Sequence, residues 1–241
     1  MRSVPVPMSE RGNAVTRWRG ATQNMAPLMH ASERTPETQA FTALRRFARS
    51  RAPVECCELC GLTLAQEHRH LLEMPTRKIA CACDACALRF TDVLDGRFKL
   101  IPRDATLLSD FHIDDAQWED LALPINLVFF FHDSVAGKLT ALYPGPAGVT
   151  ESLLRLNAWQ TLAARNPALA RMAPDVEALL VNRVGKAREH FVAPIDVCFE
   201  LVGLIRMHWR GLSGGSEVWR EIGEFFARLK ARAIPGEVDR A

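Results

Sequence analysis

Six of the chain's seven cysteines fall between positions 56 and 86: Cys56, Cys57, Cys60, Cys81, Cys83 and Cys86, with Cys198 alone far downstream. Two pairs in that run have C-x-x-C spacing, Cys57 with Cys60 and Cys83 with Cys86. A disulfide scaffold spreads its cysteines and serves chains too small to bury a core. This chain has 241 residues, 48% hydrophobic and 24% charged, enough for a substantial core in one or two domains. Its first thirty residues hold no continuous apolar run of the signal-peptide kind. The expectation is a cytoplasmic, reducing location, where paired C-x-x-C spacings point to a metal ion.

Two residues between cysteines let both thiolates converge on one ion from a tight turn. Gly61, directly after the first pair, permits a positive φ, so that backbone amides can point at sulfur. With the second pair, Cys57, Cys60, Cys83 and Cys86 make up a tetrahedral set of the structural zinc type. Cys56 points away from Cys57 and reads as a non-ligand. The string Cys81-Ala82-Cys83 reads as a strand with its two thiols on opposite faces. Cys83 has a partner in Cys86, which leaves Cys81 packed or in reserve. His68 and His70 read first as surface histidines or as groups behind the ligands. The alternative is a second, open metal site formed by His68, His70 and Cys81. Cys198 is expected on the apolar face of a helix. Zinc is the expected ion, because the surrounding residues are polar and nothing else indicates redox work. Iron is the alternative, since four thiolates hold it in rubredoxin-like proteins. Those proteins carry glycine after both pairs, whereas Ala87 follows the second pair here.

The expected fold class is α+β: a small four-cysteine zinc-ribbon or treble-clef module, then a mixed α/β body with C-terminal helices. Residues 1–40 read as a disordered tail, and Met25 or Met29 could equally begin the protein. Their five Arg against three Glu give an excess equal to the whole chain's net charge of +2. Residues 41–103 read as an amphipathic helix, built on Phe41, Leu44 and Phe47, plus the cysteine module. Residues 104–234 form the body, and residues 235–241 a flexible C-terminus. In the body, Asp114 and Asp115 start a short helix. Residues 125–132 and 138–143 are strands, as are 176–184 and 190–193. Residues 143–148 are a turn cluster and 153–164 a helix. Asp196 caps another helix, residues 211–215 break the chain, and 217–232 form a last amphipathic helix. The longest apolar run, Leu127-Val128-Phe129-Phe130-Phe131, suits a buried strand and is far short of a membrane span. Neither a net charge of +2 nor a pI of about 8.2 suits a nucleic-acid binder.

No catalytic signature accompanies the cysteines. The one G-x-S-x-G string, Gly211-Leu212-Ser213-Gly214-Gly215, falls between two expected helices and not at a strand-to-helix turn, so it is no nucleophile elbow, and there is no phosphate-binding loop and no dinucleotide fingerprint. The Gly-rich stretch 211–216 reads as a connection between helices. Arg206 and Arg210, at i, i+4 spacing with His208 and Glu200 nearby, read as one helical face held by an internal ion pair. The succession C-x-x-C-G, histidines, C-x-x-C resembles treble-clef HNH endonucleases. The residues after Cys86, Ala87-Leu88-Arg89-Phe90-Thr91-Asp92, supply neither the Asn nor the His of that catalytic set. A non-enzymatic role is the expectation.

Several strings in order carry a wider resemblance: Cys57-Glu58-Leu59-Cys60-Gly61, Glu67-His68-Arg69-His70-Leu71, Cys81-Ala82-Cys83 and Ala85-Cys86-Ala87-Leu88. Further on stand Asp114-Asp115-Ala116-Gln117-Trp118, Tyr143-Pro144-Gly145-Pro146-Ala147-Gly148, Pro174-Asp175-Val176-Glu177, Pro194-Ile195-Asp196 and His208-Trp209-Arg210-Gly211. From about residue 54 to 232 the chain resembles a bacterial family of unknown function. The genes of that family lie beside those of actinobacterial-type nickel–iron uptake hydrogenases. The resemblance implies an accessory protein of such a system, with hydrogenase subunits or maturation factors as protein partners. The alternatives it leaves are a rubredoxin-like electron carrier and a metal-transfer protein using His68, His70 and Cys81.

Overall fold

The computed structural model describes residues 54–91, 96–152 and 156–236. The tail expected over 1–40 and the helix expected over 38–51 lie outside them. Among the described residues the first regular element is a hairpin of β1 (Arg69–Glu73) and β2 (Lys78–Ala82), followed by helix α1 (Asp84–Thr91) and β3 (Phe98–Leu100). These strands form an antiparallel sheet in the order β2-β1-β3. Side chains alternate across a strand, and β1 uses both of its faces. Leu71 packs with Cys57, Ala82, Cys83 and Ala87 in a small core. Leu72 turns the other way, into the main core with Met74 and Ile101.

After β4 (Thr106–Leu107) comes α2 (Asp115–Asp120), started by a reciprocal cap. The Asp114 carboxylate accepts from the Gln117 amide at 2.8 Å, and the Gln117 side chain accepts from the Asp114 amide at 3.1 Å. Strands β5 (Leu127–Asp133), β6 (Lys138–Gly145) and β7 (Gly148–Ser152) form a meander. The expected turn cluster at 143–148 is therefore the β6–β7 hairpin, reversing at Pro146 and Ala147. Helix α3 (Leu156–Arg165) and a 3-10 turn (Pro167–Arg171) lead to β8 (Glu177–Asn182) and β9 (Glu189–Pro194). Two helices, α4 (Ile195–His208) and α5 (Gly215–Arg232), precede β10 (Ile234–Pro235).

The second sheet has the order β10-β4-β9-β8-β5-β6-β7, antiparallel except where β10 runs parallel to β4. Both faces are covered, which is why β5 is apolar without interruption from Leu127 to Phe131. Phe129 and Phe131 meet α4 and α5 in one core, with Leu201, Ile205, Phe225 and Phe226. Val128 and Phe130 meet Trp118, Trp159, Leu162 and Leu169 in the other. Burying each such side chain contributes about 1.5–3 kcal/mol. Among the described residues no helix is long and apolar enough to cross a membrane.

Asp196 does not cap α4 as expected. The position before the helix is Pro194, which makes no side-chain cap. Asp196 sits inside the first turn, and its carboxylate accepts from the Val197 amide at 2.8 Å and meets His70. The i, i+4 reading of Arg206 and Arg210 also fails, because α4 ends at His208. Arg210 folds back to donate to the carbonyls of Met207 and Trp209 at 2.8 and 3.0 Å.

Candidate metal centre

The first thiol pair lies on a backbone reversal. The Cys57 amide donates to the Leu62 carbonyl at 2.7 Å, and the Gly61 amide donates to the Cys57 carbonyl at 2.8 Å. Gly61 has φ +77°, the left-handed conformation expected after the pair. The second pair stands where β2 gives way to α1. Cys83 precedes the helix, and its sulfur accepts from the Cys86 amide at 3.4 Å, so it takes the place of a capping group. The hairpin carries the two pairs together, helped by the Glu58 amide donating to the Cys81 carbonyl at 2.9 Å.

The four sulfurs of Cys57, Cys60, Cys83 and Cys86 all lie within 4.8 Å of one another, with Cys60 and Cys83 at 3.8 Å. A tetrahedral ion with metal–sulfur bonds of about 2.3 Å has edges of about 3.8 Å. All seven cysteines are free thiols, so this set is open to a metal. Its electrostatics suit a cation. Burial pushes the Cys57 thiol up, but backbone hydrogen bonds from Cys83, Leu59 and Cys60 outweigh it and bring the pKa down to about 6. Cys86 is pushed up to about 12 by burial and by the thiols of Cys83, Cys60 and Cys57. One thiolate is thus favoured while its neighbours resist a second charge. A bound cation removes that conflict.

The remaining candidates separate clearly. Cys56 is exposed, and its sulfur faces the Val54 carbonyl at 3.7 Å. Cys198 is fully buried on α4, and burial raises its thiol pKa. Cys81 is parted from Cys83, though not by strand alternation, which puts positions two apart on the same face. The strand ends at Ala82, and Cys83 lies beyond it at the turn into α1. Within the hairpin Cys81 stands opposite His70. The ligand atoms of His68, His70 and Cys81 also lie within 4.8 Å of one another. His70 Nδ1 meets Asp196 Oδ2 at 2.6 Å, and this hydrogen bond raises the His70 pKa. The Gly-rich stretch is a plain link between α4 and α5, with Gly211, Gly214 and Gly215 all at positive φ.

The sequence model of a family of unknown function, DUF5947, matches residues 56–233. The chain belongs to this family. The DUF5947 match takes in the four-thiolate set, the histidines and the body together, and leaves out residues 1–55. No curated protein and no solved structure matches the chain.

One DUF5947 residue with a large structural part gives no local signal. Asp175, at φ +73° before β8, is fully buried. Its carboxylate accepts from Arg77 at 2.7 Å, Lys99 at 2.5 Å, the Ser134 hydroxyl at 2.5 Å and the Ser134 amide at 2.9 Å. Burial opposes its charge, but these donors overcome that and hold the carboxyl well below the usual range. Arg77 lies in the β1–β2 turn and Lys99 on β3, whereas Ser134 lies in the β5–β6 turn, so Asp175 ties the small-sheet half to the body.

Proposed function

We propose that this protein is a non-enzymatic, zinc-binding accessory factor of a nickel–iron hydrogenase system, acting in the cytoplasm. The observation that supports it best is the convergence of four free thiols from a backbone turn and a helix start, with a hairpin between them. That succession is the plan of a treble-clef zinc module. A module this small has little core of its own, so metal binding supplies part of its folding free energy. The body then serves as a docking platform for hydrogenase subunits or maturation factors. The link to hydrogenase rests on the genomic setting of the family the sequence resembles.

Zinc is preferred to iron on a structural point. In rubredoxin-like sites both pairs sit on glycine-containing turns. Here the second pair sits at a helix start, and Ala87 is buried within α1. Protein purified from its own host should be colourless and contain zinc; a red protein with iron–thiolate absorption would replace this reading with the electron-carrier one. Cys60→Ser should lower metal content and thermal stability together, measured by elemental analysis and melting. A folded variant with full zinc would show the ligand set to be wrong. For the biological role, deleting the gene should reduce hydrogen uptake or large-subunit processing. Unchanged uptake and processing would remove the hydrogenase link.

A further inference from the structure

With both rings neutral, the geometry of the His68–His70–Cys81 group is not satisfied by protein atoms alone. His68 Nδ1 lies 3.0 Å from the Ala65 carbonyl oxygen. A carbonyl only accepts, so this nitrogen carries the proton. His70 Nδ1 lies 2.6 Å from the Asp196 carboxylate, which places a proton there as well. In the neutral rings both Nε2 atoms are then bare lone pairs, yet they face each other at 3.2 Å. Two acceptors cannot bond to each other, so the contact calls for a proton or a metal ion between them. Two nitrogens bound to one tetrahedral ion at about 2.0–2.1 Å would stand about 3.3 Å apart. The thiol of Cys81, opposite His70 across the hairpin, falls within 4.8 Å of a ring nitrogen of each histidine.

We propose that His68, His70 and Cys81 form a second metal site, separate from the four-thiolate set, for a divalent transition-metal ion with one exchangeable coordination position. Two imidazoles and one thiolate are a borderline-soft donor set suited to zinc, cobalt or nickel. Both rings carry the support that metal-binding histidines use: a carboxylate behind His70 and a backbone carbonyl behind His68. Asp196 is therefore a positioning residue that fixes the His70 tautomer and aims its Nε2. His68, His70 and Asp196 line a cavity of about 580 Å³, together with Glu67, Arg103 and Glu200. Three protein ligands beside an open cavity make an exchangeable site, whereas the four-thiolate set is closed. The inference stands whether or not the hydrogenase reading does.

The test uses the full chain, loaded with one equivalent of zinc and then titrated with Co²⁺. A second equivalent should bind, followed by calorimetry and by cobalt absorption with a weak thiolate-to-cobalt band. The intensity of that band scales with the number of cobalt–thiolate bonds, which distinguishes one thiolate from four. His68→Gln with His70→Gln should abolish the second equivalent while the first equivalent of zinc stays bound. Cys81→Ser should remove the charge-transfer band, and Asp196→Asn should weaken cobalt binding about 10–100-fold. Failure of the wild type to bind a second equivalent overturns the site, as does equal binding by the double-histidine variant. If zinc loading itself fails but cobalt binds with a one-thiolate spectrum, the second site stands and the four-thiolate reading falls.

Discussion

Two buried ionisable residues make the clearest single-site predictions. Asp175 holds two cations and a serine from both halves of the protein, so Asp175→Ala strips Arg77 and Lys99 of their shared anion. The two cations keep about a third of their side-chain exposure, 31% and 35%, and can partly rehydrate. The expected cost is about 3 kcal/mol by denaturant unfolding, at the lower end for a broken buried pair. His190 is buried and stacks on Phe111 at 4.5 Å, and its Nε2 has no hydrogen-bond partner. Burial, then the charges of Arg183 and Arg188, brings its pKa down to about 4. An unfolded histidine titrates near 6.5. Between those values the unfolded chain takes up a proton that the folded chain refuses. Its contribution is therefore complete above about pH 6.5 and is lost as pH falls toward 4, by about 3 kcal/mol in all. Melting temperature against pH should be steeper over that window for wild type than for His190→Gln, and the difference isolates this residue.

Strand β1 and the α4–α5 link show how secondary elements set the sites. Because β1 is covered on both sides, Leu71 is committed to the thiol core and Leu72 to the main core. His70 reaches Asp196 on α4 and stands opposite Cys81 on β2, which brings three distant positions together. A one-residue slip of the β1–β2 register would exchange these faces and dismantle both thiol and imidazole groupings. The α4–α5 link depends on glycine for two separable reasons. Gly211 has φ +62° with open space where a side chain would go, while Gly214 has φ +88° and its Cβ would stand 2.8 Å from Val218. Gly211→Ala should cost about 1–2 kcal/mol from backbone strain alone. Gly214→Ala should cost clearly more in the same thermal unfolding assay, the excess measuring the clash with Val218 and Trp209.

The small sheet shares the main core through Leu72, Met74 and Ile101, and the Asp175 cluster adds a polar tie. Metal removal should consequently loosen part of the molecule and leave the rest folded. After chelation, hydrogen exchange is expected to accelerate first over residues 57–64 and 83–91. The central strands β5 and β8, buried on both faces, should keep their protection. Simultaneous loss of protection in β5 would instead mean that the metal and the body fold as one cooperative unit.

The thiol set is legible in sequence because a C-x-x-C turn closes over neighbouring residues, and Gly61 marks it by the conformation it permits. The strand pairs and last helix are legible for the same reason, since their apolar periods are local. The parts played by Asp196 and Asp175 are not. Asp196 has the sequence position of a helix cap, yet it meets a histidine 126 positions away. Asp175 gathers Arg77 from 98 positions away and Lys99 from 76. The separation of Cys81 from Cys83 likewise follows from where β2 stops, a point set by pairing with β1. Spacing along the chain records what one turn of backbone can bring together. Contacts between remote strands and helices arise only once the sheets are stacked and their registers set, and those contacts place the imidazoles beside a carboxylate and an open cavity.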